Sequence, residues 1–169
     1  MSMAVLLSMG AWAQQKTMVL RIDDMHCKKC SDRITAKLVE QTNVDSIRVS
    51  LGKHSVTVRY DENEIGVDSI RNIVTHAGYT PVSYCENGTC NYAYFLIPAE
   101  QATQQTLDKV KTLRGILDAN TNVRRKSLAV AYRVGEVSAD QLLADLQQAG
   151  IQAQLPKPHV CKEENANKQ

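Results

Sequence analysis

Two stretches of this chain carry the same order of six elements, offset by 72 residues. In the first, residues 17–23 read as a strand in which Met18, Leu20 and Ile22 alternate with Val19 and Arg21. Residues 28–40 read as a helix with Ile34 and Leu38 on one face and Ser31 near its start. Residues 44–51 and 54–60 form a hairpin about Gly52-Lys53, with Val56, Val58 and Tyr60 on one face. Residues 67–76 are helical by the spacing of Val67, Ile70, Ile73 and Val74, and Gly78 has the place of a helix C-cap. Residues 79–84 then read as a last strand. The second stretch repeats this with strands at 91–97, 116–120, 126–133 and 151–155, and with helices at 101–113 and 138–148. At the offset of 72, Val44 matches Ile116, Val58 matches Val130, Tyr60 matches Tyr132, and Ala77-Gly78 matches Ala149-Gly150.

Strand-helix-strand-strand-helix-strand is the split, ferredoxin-like arrangement. The expected class is therefore α+β, with tandem ferredoxin-like βαββαβ domains. Each is expected to have an antiparallel four-stranded sheet with two helices on one face. The domains are placed at residues 16–84 and 91–156, joined by a linker at 85–90 that contains an Asn87-Gly88 turn. Domains of about 70 residues bury only about 60% of their surface and are marginally stable alone. Residues 157–169 are polar and expected to be disordered. Residues 1–13 are apolar and small, and end in an Ala11-Trp12-Ala13 run with the pattern of a signal-peptidase site. They are expected to be a secretory signal, which places the protein in a periplasm or outside the cell. After cleavage no run near 18 apolar residues remains, so no permanent membrane span is expected. A net charge of +2, with no concentrated basic patch, argues against a nucleic-acid partner.

The chemistry concentrates in Met25-His26-Cys27-Lys28-Lys29-Cys30, where the first strand ends and the first helix begins. A Cys-x-x-Cys pair there presents two sulfurs to one ion, and soft thiolates select Cu(I), Hg(II) or Zn(II) over hard cations. The positive end of the helix favours thiolates, and Lys28 and Lys29 add positive charge beside them. The competing readings of the pair are a structural disulfide and a redox-active dithiol. The residues between the cysteines are Lys-Lys and not Gly-Pro, and the surrounding pattern is not a thioredoxin unit.

Met25-x-Cys27-x-x-Cys30 inside this order of elements resembles the heavy-metal-associated domain. That family includes copper chaperones, the amino-terminal domains of metal-transporting P-type ATPases and the periplasmic mercury-binding protein. The resemblance covers about residues 17–84, and residues 91–156 read as a degenerate copy without the Cys-x-x-Cys. It implies a Cu(I) carrier or scavenger that holds the ion between Cys27 and Cys30. Such a carrier passes its ion by ligand exchange to a metal-transporting membrane protein or another thiol-bearing carrier. Hg(II) is the alternative cargo. Zn(II) ranks lower, since zinc-transporting relatives place Asp before the first Cys, where this chain has His26. The resemblance further implies that Met25 is buried and supports the loop, and that Tyr79 lies near the metal. The other reading of Tyr79 is an ordinary strand residue. His26 is either a third ligand or, as is usual in the family, directed to solvent. The family motif usually has Gly before Met. Here Asp24 replaces it and is expected to add negative charge near the site.

Five cysteines leave an odd thiol. Cys85 and Cys90 are expected to form a local disulfide, with a second soft-metal site as the alternative. His159-x-Cys161 lies on the tail, with Cys161 as a stray thiol. His54 and His76 read as solvated surface residues, and Asp61-Glu62-Glu64 as a solvated acidic loop. No nucleophile-base pair, phosphate loop or paired carboxylates stand out, so no enzyme is expected.

Overall fold

The computed structural model describes residues 14–157. The expected signal segment 1–13, and His159 and Cys161 on the tail, lie outside the described residues. The boundary between two compact units falls between Gly88 and Thr89.

The first unit runs β1 (Gln15–Arg21), α1 (Lys28–Gln41), β2 (Val44–Ser50), β3 (Ser55–Asp61), α2 (Val67–His76) and β4 (Val82–Ser83). Its antiparallel sheet has the order β2-β3-β1-β4. Alternation buries Leu20, Val56, Val58 and Tyr60 on one face of the sheet, where they meet Ile34 and Leu38 of α1 and Ile70 and Val74 of α2. The last strand is shorter than the six residues expected. Pro81 has no N–H for the ladder, and the Thr80 N–H donates to Asp24 Oδ1 at 3.3 Å, so pairing with β1 begins only at Val82.

The end of α2 sets the path into the site. The Gly78 N–H donates to the Thr75 carbonyl and the Tyr79 N–H to the Val74 carbonyl, a Schellman closure. Gly78 takes φ 95°, a conformation that favours glycine. The turn sends Tyr79 inward, and its side chain is 1% exposed.

The second unit repeats the plan with β5 (Cys90–Leu96), α3 (Gln104–Lys111), β6 (Ile116–Asn122), β7 (Ser127–Arg133) and α4 (Ala139–Gln148). Gly150 closes α4 as Gly78 closes α2, with Ile151 N–H donating to the Leu146 carbonyl. The core gathers Phe95, Val110, Leu128, Val130, Leu142 and Leu146. Two expectations need correction here. The sheet has three strands, β5-β7-β6, and residues 151–155 contribute only a single bridge between Leu96 and Gln154. Continued in that register, the neighbouring hydrogen-bonded positions would fall on Pro98 and Pro156, neither of which has an N–H to give. The Gln152 N–H, which would face Pro98, donates to Gln101 Oε1 at 2.7 Å instead. The first helix is also shorter than expected. A 3₁₀ turn at Ala99–Gln101 precedes α3, and Thr103 caps α3 by accepting from the Thr106 N–H at 3.3 Å.

Cys85 and Cys90 are disulfide-bonded, whereas Cys27 and Cys30 are free. The bond closes the 85–90 segment around Asn87 and Gly88, which take φ 64° and 65°.

Candidate metal site

Residues 22–27 connect β1 to α1 and are held from several sides. The Met25 N–H donates to the Ile22 carbonyl at 3.2 Å and pulls the Met25 side chain fully into the core. Arg21 anchors the base of the loop by donating to Asp23 Oδ1 at 2.6 Å and to the Lys53 carbonyl at 2.7 Å. Asp24, expected to add negative charge near the site, is set into the loop and not displayed on the surface. It is 7% exposed, and its carboxylate accepts from the Thr80 N–H and from the Thr80 hydroxyl at 3.2 Å. Its backbone is not among the positive-φ residues, so glycine is not required at this position. The carboxylate instead ties the loop carrying Cys27 to the segment carrying Tyr79.

Cys27 is the N-cap of α1, with φ −146° and ψ 162°, and its Sγ accepts from the Cys30 N–H at 3.3 Å. Sulfur thus takes the role that a Ser or Asp oxygen has at most helix starts. No acidic residue occupies the first turn of α1. The two sulfurs are 2.7 Å apart, with Cys27 exposed and Cys30 half-buried. Lys28 follows the cap, but its Nζ is held by Asp32 one turn along, at 2.9 and 3.0 Å, in an exposed pair. Lys29 is exposed. Much of the positive charge expected beside the sulfurs is therefore balanced on the Lys28 side, and the helix end itself supplies the rest.

Burial pushes the Cys30 thiol up, but four hydrogen bonds more than offset that and hold it below the usual thiol range. They come from Cys27, from the Tyr79 hydroxyl and from backbone groups at His26 and Cys27. Tyr79 is thus more than a strand residue, since its phenol reaches Cys30. A thiol whose pKa is lowered carries more thiolate at neutral pH. Replacing Tyr79 by Phe removes one donor and raises the Cys30 pKa. Residue-resolved alkylation of Cys30 at pH 7 is expected to slow about threefold, with the difference closing as pH rises past the thiol's titration. An unchanged pH profile would show that the phenol does not act on the sulfur.

His26 is exposed, and its ring meets the His54 ring edge to face, with centroids 5.6 Å apart. His54 is not the solvated residue expected. It is half-buried at the end of the β2–β3 turn. The antiparallel pairing carries the signal for this: Arg21 faces Ser55, so the residue before Ser55 lies beside the start of the metal loop. Thr80 has no such signal, since nothing local marks it as a partner for Asp24. His76 closes α2, and Asp61, Glu62 and Glu64 lie in and after the end of β3. Among the described residues, no group of three or more His, Cys, Asp or Glu is arranged to hold an ion. Among the described residues the second unit offers no sulfur pair at the matching place, where the Pro98 turn and Thr103 cap stand in place of the first unit's cysteines.

Residues 19–80 match the family described as the heavy-metal-associated domain. A copper-exporting P-type ATPase of Staphylococcus haemolyticus is 25% identical over 157 residues, covering 92% of this chain and 19% of its own length. The copper-exporting P-type ATPase of Staphylococcus aureus strain JH9 is 28% identical over 149 residues, covering 85% of this chain and 17% of its own length. The chain therefore spans less than a fifth of the curated relatives it matches. Among solved structures, the water-soluble region of the P-type ATPase CopA from Bacillus subtilis is 21% identical. That match covers 93% of this chain and 99% of its own, with a TM-score of 0.40.

Proposed function

We propose that the protein carries Cu(I) between Cys27 and Cys30 and releases it by thiolate exchange, a reading supported by the match of residues 19–80 to the heavy-metal-associated domain. The observation that carries this reading is the pair of free sulfurs at the start of α1, one exposed and one supplied with hydrogen-bond donors. Two thiolates with metal–sulfur bonds near 2.3 Å stand up to roughly 4.6 Å apart around a two-coordinate ion. The sulfurs lie at 2.7 Å, so loading requires a side-chain rotation, which exposed Cys27 permits. The same exposure lets an incoming thiolate attack the bound ion. A receiving partner is a metal-transporting membrane protein or another thiol-bearing carrier, and exposed Lys29 favours an acidic docking face. The copper-exporting relatives favour copper over mercury as cargo. A location outside the cytoplasm is supported by the signal-like composition of residues 1–13 and by the disulfide-bonded Cys85 and Cys90. No helix among the described residues is long and apolar enough to cross a membrane.

The 2.7 Å sulfur separation also favours a second reading, in which the pair cycles between dithiol and disulfide. The reduced full chain, titrated with Cu(I), Hg(II) and Zn(II) against competing chelators, separates the two. The carrier reading expects one tightly held soft ion per chain and its transfer to a second dithiol. If no ion is retained while the protein oxidises or reduces a dithiol substrate, the carrier reading fails. Tighter retention of Hg(II) than of Cu(I) after allowing for thiol affinity would make mercury the cargo.

A further inference from the structure

The end of the first domain that carries the sulfurs also carries two imidazoles, and their geometry is unusual in three respects. The His26 and His54 rings are 5.6 Å apart by centroid and inclined at 74°. His54 Nδ1 is buried and has no hydrogen-bond partner among the described residues, a state that costs a polar atom about 1–3 kcal/mol. His54 also adopts φ 47°, in the left-handed region that a non-glycine residue seldom enters. Its backbone is pinned there from both sides. The His54 N–H donates to the Leu51 carbonyl at 3.1 Å, and the His54 carbonyl accepts from the Ile22 N–H at 2.8 Å. The strained turn thus fixes an imidazole with an unsatisfied nitrogen against a second imidazole that is exposed to solvent.

We propose that His26 and His54 form a two-imidazole site for a borderline divalent cation such as Cu(II), beside the thiolate pair and independent of it. Imidazole suits copper, zinc and nickel, whereas Cu(I) prefers the sulfurs. With metal–nitrogen bonds of about 2.0–2.1 Å, two imidazoles that share one ion have centroids roughly 4.5–6.4 Å apart, from right-angled to linear. The observed 5.6 Å lies inside that range, near a tetrahedral-to-trigonal angle. Because His26 is exposed, its ring can turn a nitrogen toward the shared ion while His54 stays in place. Among the described residues no third His, Cys, Asp or Glu completes the group, so water fills the remaining positions and the ion exchanges readily. The site goes beyond the Cu(I) reading and does not depend on it.

The test uses the full chain with Cys27→Ser and Cys30→Ser, which removes the soft ligands while Ser at position 27 keeps a capping oxygen. Titrated with Cu(II), this protein is expected to bind one ion whose electron-spin spectrum carries couplings from two imidazole nitrogens. Adding His54→Asn, a residue that tolerates the same left-handed backbone, is expected to weaken binding at least tenfold and leave coupling to at most one imidazole. Adding His26→Gln instead is expected to do the same. Thermal unfolding of each variant confirms that the fold is retained. Affinity unchanged by His54→Asn or by His26→Gln, or a spectrum with no paired imidazole coupling, would overturn the proposal. Because the thiols are absent throughout, neither result bears on whether Cys27 and Cys30 carry Cu(I).

Discussion

Replacing Cys30 by Ser, or Cys27 by Ser, is expected to weaken Cu(I) binding about a thousandfold or more while moving the unfolding midpoint little. The scale follows from what is removed. Loss of groups that only orient a metal ligand already costs 10–100-fold, and here one of two bonded sulfurs goes. A hydroxyl is a hard, weakly acidic donor that does not replace a thiolate on a soft ion. The small structural cost follows from the local geometry. Cys27 caps α1 through its sulfur, and a Ser oxygen fills the same role. Cys30 is half-buried, and a Ser there still accepts from the Tyr79 hydroxyl. The pH dependence has a defined sign. Cys30 has a lowered thiol pKa, so the folded state holds its thiolate over a wider range than an unfolded chain does. Binding must displace whatever proton remains, so affinity rises with pH and flattens above the thiol's titration. A competition titration with a coloured Cu(I) chelator at several pH values reads both effects. Retention of binding within tenfold in either single variant would remove that sulfur from the site.

The periodicity of the chain makes α1, α2, α4 and the site loop legible in the amino-acid sequence. Helix α2 falls on the expected residues 67–76, because Val67, Ile70, Ile73 and Val74 recur at helical spacing and Gly78 stops them. The cysteine loop is equally readable, since a strand, a Cys-x-x-Cys and a helix in that order leave little freedom about where the sulfurs lie. The last strand of each unit is not legible, because proline and side-chain competition decide it and periodicity does not register either. Residues 79–84 alternate like a strand, yet Pro81 and the Asp24–Thr80 hydrogen bonds delay pairing with β1 until Val82. Residues 151–155 also look like a strand, and Pro98 and Pro156 reduce them to one bridge. The role of Asp24 is hidden for a related reason. The sequence places a carboxylate near the thiolates, but its partner Thr80 is 56 residues away and is found only once β4 lies beside β1. The setting of His54 is hidden in the same way, because its neighbour, too, comes from another element.

Met25→Ala is expected to produce a large stability loss in the first domain, about 2–5 kcal/mol. The side chain is fully buried and shares a core with Leu20, Ile34 and Val56, so truncation leaves a cavity directly beneath the metal loop. For a domain of about 70 residues this is a large part of the whole stability, and the unfolding midpoint should fall by on the order of 10–40 °C. Bound Cu(I) should restore part of the loss, because an ion held only by the folded state raises its stability by mass action. The variant that decides what Met25 does is Met25→Leu. A thioether is a soft donor, and so by chemistry alone Met25 is a possible third ligand. Its complete burial and its hydrogen-bonded turn to Ile22 argue that it supports the loop from below. Leucine conserves that volume at a cost below about 1.5 kcal/mol. Met25→Leu is therefore expected to keep Cu(I) affinity within about threefold while Met25→Ala loses stability. A loss of affinity in Met25→Leu as large as in the cysteine variants, with the fold intact, would place the thioether on the ion.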